Sequence, residues 1–342
     1  MTRALAVLAV FLSTTAACVA QAPRSFYAGK TLTIVVGSTP GGYYDIVCRV
    51  LARHIGRFID GNPNIVVQND PVAGGMALAN RLANTMAPDG LTIVAMNRAL
   101  PQLALAGDAH AQFDPLRLVW LGSLSSYRDD AYLMIVRDGQ PARTLADLRA
   151  APKPLHFGGT RAGATNVIFP LLARDVLKLP LEIVRGFPGS ADLWLAEERG
   201  EIDGHVTDLS AVLVAKAGPW KEGKLHPVLA FGRAERLRER PDVPLARELA
   251  TDPDDAALLE FAELPFFMAL PFAAPPGVPA ERAKALGDAL MNVARDEAFL
   301  AEAGRDGFVP SPVDGAAVRA LLDRAANTPA SVREKFRRLL AD

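Results

Sequence analysis

The sequence predicts an α/β protein of two lobes, each a mainly parallel sheet flanked by helices. Three observations lead there. A buried strand, a glycine turn and a long amphipathic helix follow one another over Thr31–Ile59, and the same rhythm then repeats. A glycine-rich turn opens a helix twice, at Gly41-Gly42 and again at Gly158–Gly163, in two separate α/β blocks. The 342 residues also exceed what one hydrophobic core organises.

Residues 1–22 stand apart from the fold. Arg3, the apolar run Ala4–Leu12, the small residues Ser13–Ala17 and an Ala20-Gln21-Ala22 site describe a secretory signal, too short to span a bilayer. Thr15-Ala16-Ala17-Cys18 loosely resembles a lipobox, so a lipid anchor at Cys18 is the alternative to simple export into the periplasm. No later stretch has the length and apolarity of a transmembrane helix. After cleavage Cys48 is the one cysteine left, which leaves no intramolecular disulfide; on an apolar helix face it reads as a small buried hydrophobe. The formal net charge of −1, with both signs mixed along the chain, excludes the basic footprint of a nucleic-acid binder. An aromatic content of 7% speaks against a sugar-stacking site.

Taken in order, Thr31–Val36 is a β-branched apolar run, the pattern of a strand covered on both faces. Gly37–Gly42 breaks it, and apolar residues at Ile46, Val47, Val50, Leu51, Ile55, Phe58 and Ile59 mark one face of a helix. Asn64–Asn69 is the next strand, Gly74-Gly75 a second turn, Met76–Met86 a helical face and Leu91–Met96 a third strand, the parallel βαβ pattern. Leu118–Leu124 and Tyr132–Val136 read as strands around a polar bend at Ser125–Asp130. A second block begins at the N-capped Thr144–Leu148. There Pro170 requires the helix behind the Gly158–Asn166 loop to start near Thr165. Leu181–Val184, Ile202–Asp208 and His226–Phe231 are further strands, Ala191–Glu198 a helix, and Glu281–Val293 and Val313–Arg324 closing helices. The expected division is a signal at 1–22, one lobe from 23–130 and 229–342, and a second lobe from 131–228.

Catalytic signatures are missing. There is no G-x-S-x-G and no G-x-G-x-x-G, and in the P-loop-like Gly158–Thr165 the place of the phosphate-binding lysine is held by Ala164. His54, His110, His156, His205 and His226 show no metal spacing and read as structural; His205 is the one to watch, at a strand end that the pattern places near the cleft. No metal and no cofactor is expected. What remains is a set of neutral donors at helix entrances, where free N–H groups and the helix dipole favour an anion. Thr39, Gly41, Gly42, Tyr43, Tyr44, Thr160, Ala162, Gly163, Thr165 and Ser190 form that set and suit a carboxylate. Charge-assisted hydrogen bonds of about 1.5–3 kcal/mol each make five or six such contacts enough for micromolar affinity. Arg161 offers a bidentate clamp for a second carboxylate; a solvent-facing loop arginine is the plainer reading.

At these residues the sequence resembles the exported solute-binding receptors of tripartite tricarboxylate transporters, the Bug family. The likeness runs through Phe26–Lys30, Thr39-Pro40-Gly41-Gly42 with Asp45, Val67-Gln68-Asn69 before Gly74-Gly75, Ala87–Gly90, Thr144–Leu148, Gly186–Ser190, Gly200–Asp203, Pro241–Pro244 and Ala273–Pro279. The resemblance implies a periplasmic-binding-protein fold whose lobes, joined by crossing strands, close over a small mono- or dicarboxylate. It implies a monomeric receptor that serves a membrane permease and does no catalysis. Carried over, the binding segments are Thr39–Asp45 and Thr160–Asn166, with Gly189-Ser190 and Asp208 nearby. Tyr43-Tyr44 stand where the family often has a small hydroxyl residue, and Arg161 where small or apolar residues are frequent. Asp45 is expected to complement its own helix start rather than touch the anion. Two other readings stay open: a ligand-sensing adaptor for a signalling partner, and an exported hydrolase or lyase using His205 and Asp208.

Overall fold

The computed structural model describes residues 25–341 except 42, 129, 161 and 162. The expectations on 1–22 and Cys18, and on Gly42, Arg161 and Ala162 as site residues, lie outside the described residues.

Two sheets organise the chain. The first contains β1 (Thr31–Val36), β2 (Asn64–Asn69), β3 (Thr92–Ala95), β4 (Val119–Ser123), β10 (Pro271–Ala274) and β11 (Val313–Asp314) in the order β11-β4-β10-β3-β1-β2. The second contains β5 (Tyr132–Arg137), β6 (Leu155–Gly159), β7 (Leu181–Arg185), β8 (Gly204–Asp208) and β9 (Leu225–Phe231) in the order β7-β6-β8-β5-β9. Parallel pairing is confined to β1 with β2 and β3, and to β6 with β7 and β8; β10, β11 and β5 run antiparallel to their neighbours. The two sheets are therefore mixed rather than mainly parallel. Antiparallel strands enter at β5 and β10, where the chain crosses to the second sheet and returns, and again at β11.

Helices cover both faces. On the first sheet, α1 (Tyr43–Ile55) buries Val47, Cys48, Val50, Leu51 and Ile55 against Leu32, Ile34 and Val36. The two-residue period of β1 puts those even-numbered side chains on one face. Val35 points to the other face, toward α2 (Met76–Asn84) and α3 (Leu100–Ala106). On the second sheet, α4 (Leu145–Arg149), α5 (Thr165–Asp175) and α6 (Ser190–Arg199) follow their strands, then α7 (Leu209–Ala215) and α8 (Ala217–Lys221). The C-terminal part supplies α9 (Pro253–Phe267), α10 (Ala280–Val293), α11 (Glu297–Arg305), α12 (Gly315–Ala326) and α13 (Ala330–Ala341).

Several departures from the sequence expectation have local causes. Helix α9 escapes periodicity reading because it is apolar nearly all round, with Leu258, Leu259, Phe261, Ala262, Leu264 and Phe266 all buried. Strand β10 has only four residues, and Pro271 is tolerated as its first. Val313-Asp314 pair with β4, and the helix expected from Val313 begins at Gly315, where the Asp314 carboxylate accepts from the Ala317 N–H at 2.8 Å. Helix α5 starts at Thr165 as expected, but Pro170 lies inside it rather than in its first turn.

One core runs through both sheets. It joins Val35 and Val94 to Phe157, Phe169, Phe231 and Phe266. Between the sheets Phe266 packs on Tyr127, Tyr132 and Phe169, with ring centroids 4.9–5.3 Å apart. Among the described residues no helix is long and apolar enough to cross a membrane.

Gly204 shows how tightly the second sheet is built. A Cβ there would run into the carbonyl oxygen of Ile135 on the neighbouring β5 and come within 3.1 Å of Phe157. Gly204→Ala is expected to lower unfolding free energy by about 1–3 kcal/mol, read from denaturant or thermal midpoints.

Candidate functional site

The first glycine loop is held from below. Gly41 adopts φ +78°, a left-handed conformation that L side chains rarely take, and faces open space. Its N–H donates to Asp45 Oδ2 at 2.8 Å, Arg49 Nε donates to the same oxygen at 3.0 Å, and Asn69 Nδ2 donates to Oδ1 at 2.9 Å. Asn69 also donates to the Ser38 carbonyl, and Arg49 to Asn69 Oδ1, both at 3.0 Å. Burial pushes the Asp45 carboxyl up, but these hydrogen bonds and the Arg49 charge outweigh it and hold the group below the usual carboxylate range. Asp45 is thus fully engaged in fixing its own helix start. The second glycine turn has a packing role: a Cβ at Gly75 would meet the Gly37 carbonyl oxygen at 2.9 Å, so Gly75 lets that turn approach the first loop.

The two tyrosines differ. Tyr44 donates to the Ala269 carbonyl at 2.7 Å and accepts from the Arg98 N–H at 3.2 Å, so its hydroxyl is tied to the protein. Tyr43 is 53% exposed, and its ring packs edge-on to Tyr44 and Phe308. Thr39 and Pro40 are exposed beside it.

In the second block Gly163 has φ +74° and likewise faces open space. Asn166 Oδ1 accepts from both the N–H and the hydroxyl of Thr160, at 3.3 and 2.9 Å, so Thr160 shapes the loop. Thr165, the first residue of α5, accepts from the Tyr132 hydroxyl at 2.9 Å, which leaves its own O–H available as a donor. Ala164 stands just before that helix as its N-cap. Ser190 starts α6 and is exposed; the Gly186 N–H donates to the Thr160 carbonyl at 2.8 Å, linking the loop before Ser190 to the second glycine loop.

Between the two sheets lies a charged pair that the sequence did not announce. Arg98, after β3, packs over the Phe266 ring at 4.7 Å and the Tyr127 ring at 5.2 Å. Its Nη1 donates to the Tyr127 hydroxyl at 3.0 Å, and its Nη2 lies 3.9 Å from Asp208 Oδ1 at the end of β8. The Tyr127 hydroxyl donates in turn to that Asp208 oxygen. Tyr127 has φ +57°, a costly conformation for a non-glycine residue. Burial pushes the Asp208 carboxyl above its ordinary range, and Arg98 opposes that rise. The nearby Asp130 is capped by the N–H groups of Ala131 and Ser210 and by the Ser210 hydroxyl.

A depression of about 590 Å³ lies elsewhere, among α9, α12 and the start of α13. No residue of either glycine loop lines it.

No protein-family model matches the chain. A Cupriavidus necator protein named UPF0065 protein in gbd 5'region is 27% identical over 244 residues, 68% of each chain. Protein BugT of Bordetella pertussis is 36% identical over 101 residues, 30% of each chain. Among solved structures, a TctC solute binding protein from Polaromonas superposes with a TM-score of 0.70 at 18% identity, over 91% of this chain and 99% of that one. MatC from Rhodopseudomonas palustris, with bound malate, gives 0.59 at 21% identity, over 90% and 98%. R. palustris Rpa4515 with adipate gives 0.61 at 17%, over 91% and 97%.

The chain is similar to Protein BugT over under a third of its length. It shares the two-lobed α/β fold of solved solute-binding proteins, whose names describe binding and not catalysis. In this chain the hydrolytic pairing of His205 with Asp208 does not form. Three residues apart on one strand, the two side chains leave opposite faces of the sheet. His205 is fully buried, 2.6 Å from Glu197 Oε2 and edge-on to Trp194 at 4.3 Å, and is therefore not a cleft residue.

Asp45→Ala leaves the Gly41 and Asn69 donors without their acceptor and is expected to cost about 1–3 kcal/mol, checked by denaturant unfolding. A depressed folded-state pKa stabilises above the unfolded value and ceases to as pH falls through the folded one. The deficit of the variant should therefore be full at neutral pH and shrink below about pH 4.

Proposed function

We propose that the chain is an extracytoplasmic receptor that closes its two lobes over a small mono- or dicarboxylate and hands it to the permease of a tripartite tricarboxylate transporter. One observation carries the reading: Gly41 and Gly163, one beside each sheet, both hold positive φ at a strand-to-helix loop and both face open space. Such loops leave room for an anion beside a helix entrance on the two sides of one cleft, with the Gly41 N–H itself held by Asp45. Thr165 adds a hydroxyl donor, and Thr39, Pro40 and Tyr43 are exposed at the first loop. A ligand that touches both lobes favours the closed state, whereas one that touches a single lobe shifts nothing.

Kinship with BugT supports the transport role, and the N-terminal sequence supports export. The malate and adipate held by two proteins of the same fold match the size and charge considered for this cleft.

The test is a thermal-shift screen of residues 23–342 against carboxylates, amino acids, sugars and nucleotides. A carboxylate at a hundred times its dissociation constant should stabilise by about 2.7 kcal/mol. Shifts with sugars or nucleotides alone would overturn the reading. Thr165→Ala should weaken the carboxylate hit about tenfold, the value of one hydrogen bond to a charged group; unchanged affinity would remove Thr165 from the site.

A further inference from the structure

Resting on the receptor reading, we propose that Arg98 and Asp208 select the ligand, and that it is a small amino carboxylate whose anionic group meets Arg98 and whose ammonium meets Asp208. The geometry of the pair points there. Two opposite charges free to combine approach to about 2.7–2.9 Å; these stay 3.9 Å apart with no hydrogen bond between them. Tyr127 holds them at that distance, accepting from Arg98 Nη1 and donating to Asp208 Oδ1. Each partner keeps unused valence. Among the described residues Arg98 Nε and Nη2 make no hydrogen bond, and Asp208 Oδ2 accepts none from another side chain.

Both groups are solvent-accessible, with 20% of the Arg98 side chain and 32% of the Asp208 side chain exposed. Their placement is rigid. The Arg98 N–H is fixed on Tyr44 and its guanidinium on the Phe266 and Tyr127 rings, while Asp208 ends a central strand of the second sheet. The two charges belong to different sheets, so a ligand bridging them gains from closure. Charge balance also favours a zwitterion. A plain dianion would bring a second negative charge beside Asp208 and Asp130, whereas an ammonium satisfies the open carboxylate oxygen.

The experiment is calorimetric titration of the mature chain with acids that differ only by an amino group: L-aspartate against succinate, L-glutamate against glutarate, γ-aminobutyrate against butyrate. In at least one pair the amino member should bind about tenfold tighter or better, the worth of a charge-assisted contact. Asp208→Asn should abolish that preference. Arg98→Lys should weaken both members while keeping the preference, because the ammonium contact is untouched. The preference is a ratio within each protein, so a general loss of stability in a variant cancels. The comparison in the unaltered chain stands even where a variant does not fold. Plain acids binding as tightly as their amino partners overturn the proposal and leave the receptor reading intact. No binding of any of these acids also overturns it, and a response to sugars or nucleotides alone overturns both.

Discussion

The Phe266 ring is the joint on which the two sheets meet. It comes from the end of a helix buried on nearly every side and touches Tyr127, Tyr132 and Phe169 together. Each of those rings belongs to a different part of the site: Tyr127 to the crossing between sheets, Tyr132 to the strand that reaches Thr165, Phe169 to the helix behind the second glycine loop. The Phe266 ring also carries the Arg98 guanidinium. Apolar packing, which is non-directional, is thereby turned into a fixed position for a charge. An arginine laid on aromatic faces keeps much of its charge–quadrupole attraction while it loses water.

Around this joint the polar groups divide into two kinds. Asp45, Asn69, Thr160, Asn166 and Tyr44 bond to their own protein and set the shape of the loops. Thr165, Tyr43, Arg98 and Asp208 keep a donor, an acceptor or surface free, and Gly41 and Gly163 keep an open face where a Cβ would stand. The division follows from buried polar groups needing partners. A residue whose hydrogen bonds are complete can only support a site, and a residue with an open valence at the cleft can take part in one.

How far the sequence could be read depends on whether the informative contact is local. The β1–glycine–α1 unit is legible because strand period, positive-φ glycines and helix period are written within some thirty residues. Asp45 was legible as a helix-start residue for the same reason, since its partners Gly41 and Arg49 are each four positions away. Helix α9 was not, because an all-apolar helix has no period to detect. Strand β10 was not, because four residues carry too little pattern. His205 was misplaced at the cleft: a strand reading gives its position but not its face, and its partner Glu197 lies on the neighbouring helix.

Alone, the sequence determined the α/β class, the two glycine-rich helix entrances, the resemblance to Bug-type receptors and the lack of a catalytic motif. All of these depend on residues close in the chain or on their order along it. Tertiary structure decided which of those residues keep a free hydrogen-bonding group, and it brought Arg98, Tyr127 and Asp208 together. Asp208 lies over a hundred positions from Arg98, and no spacing rule joins an arginine after one strand to an aspartate ending another. Their meeting follows from two sheets pressed onto one aromatic joint, because non-local contacts are fixed by packing and not by pattern.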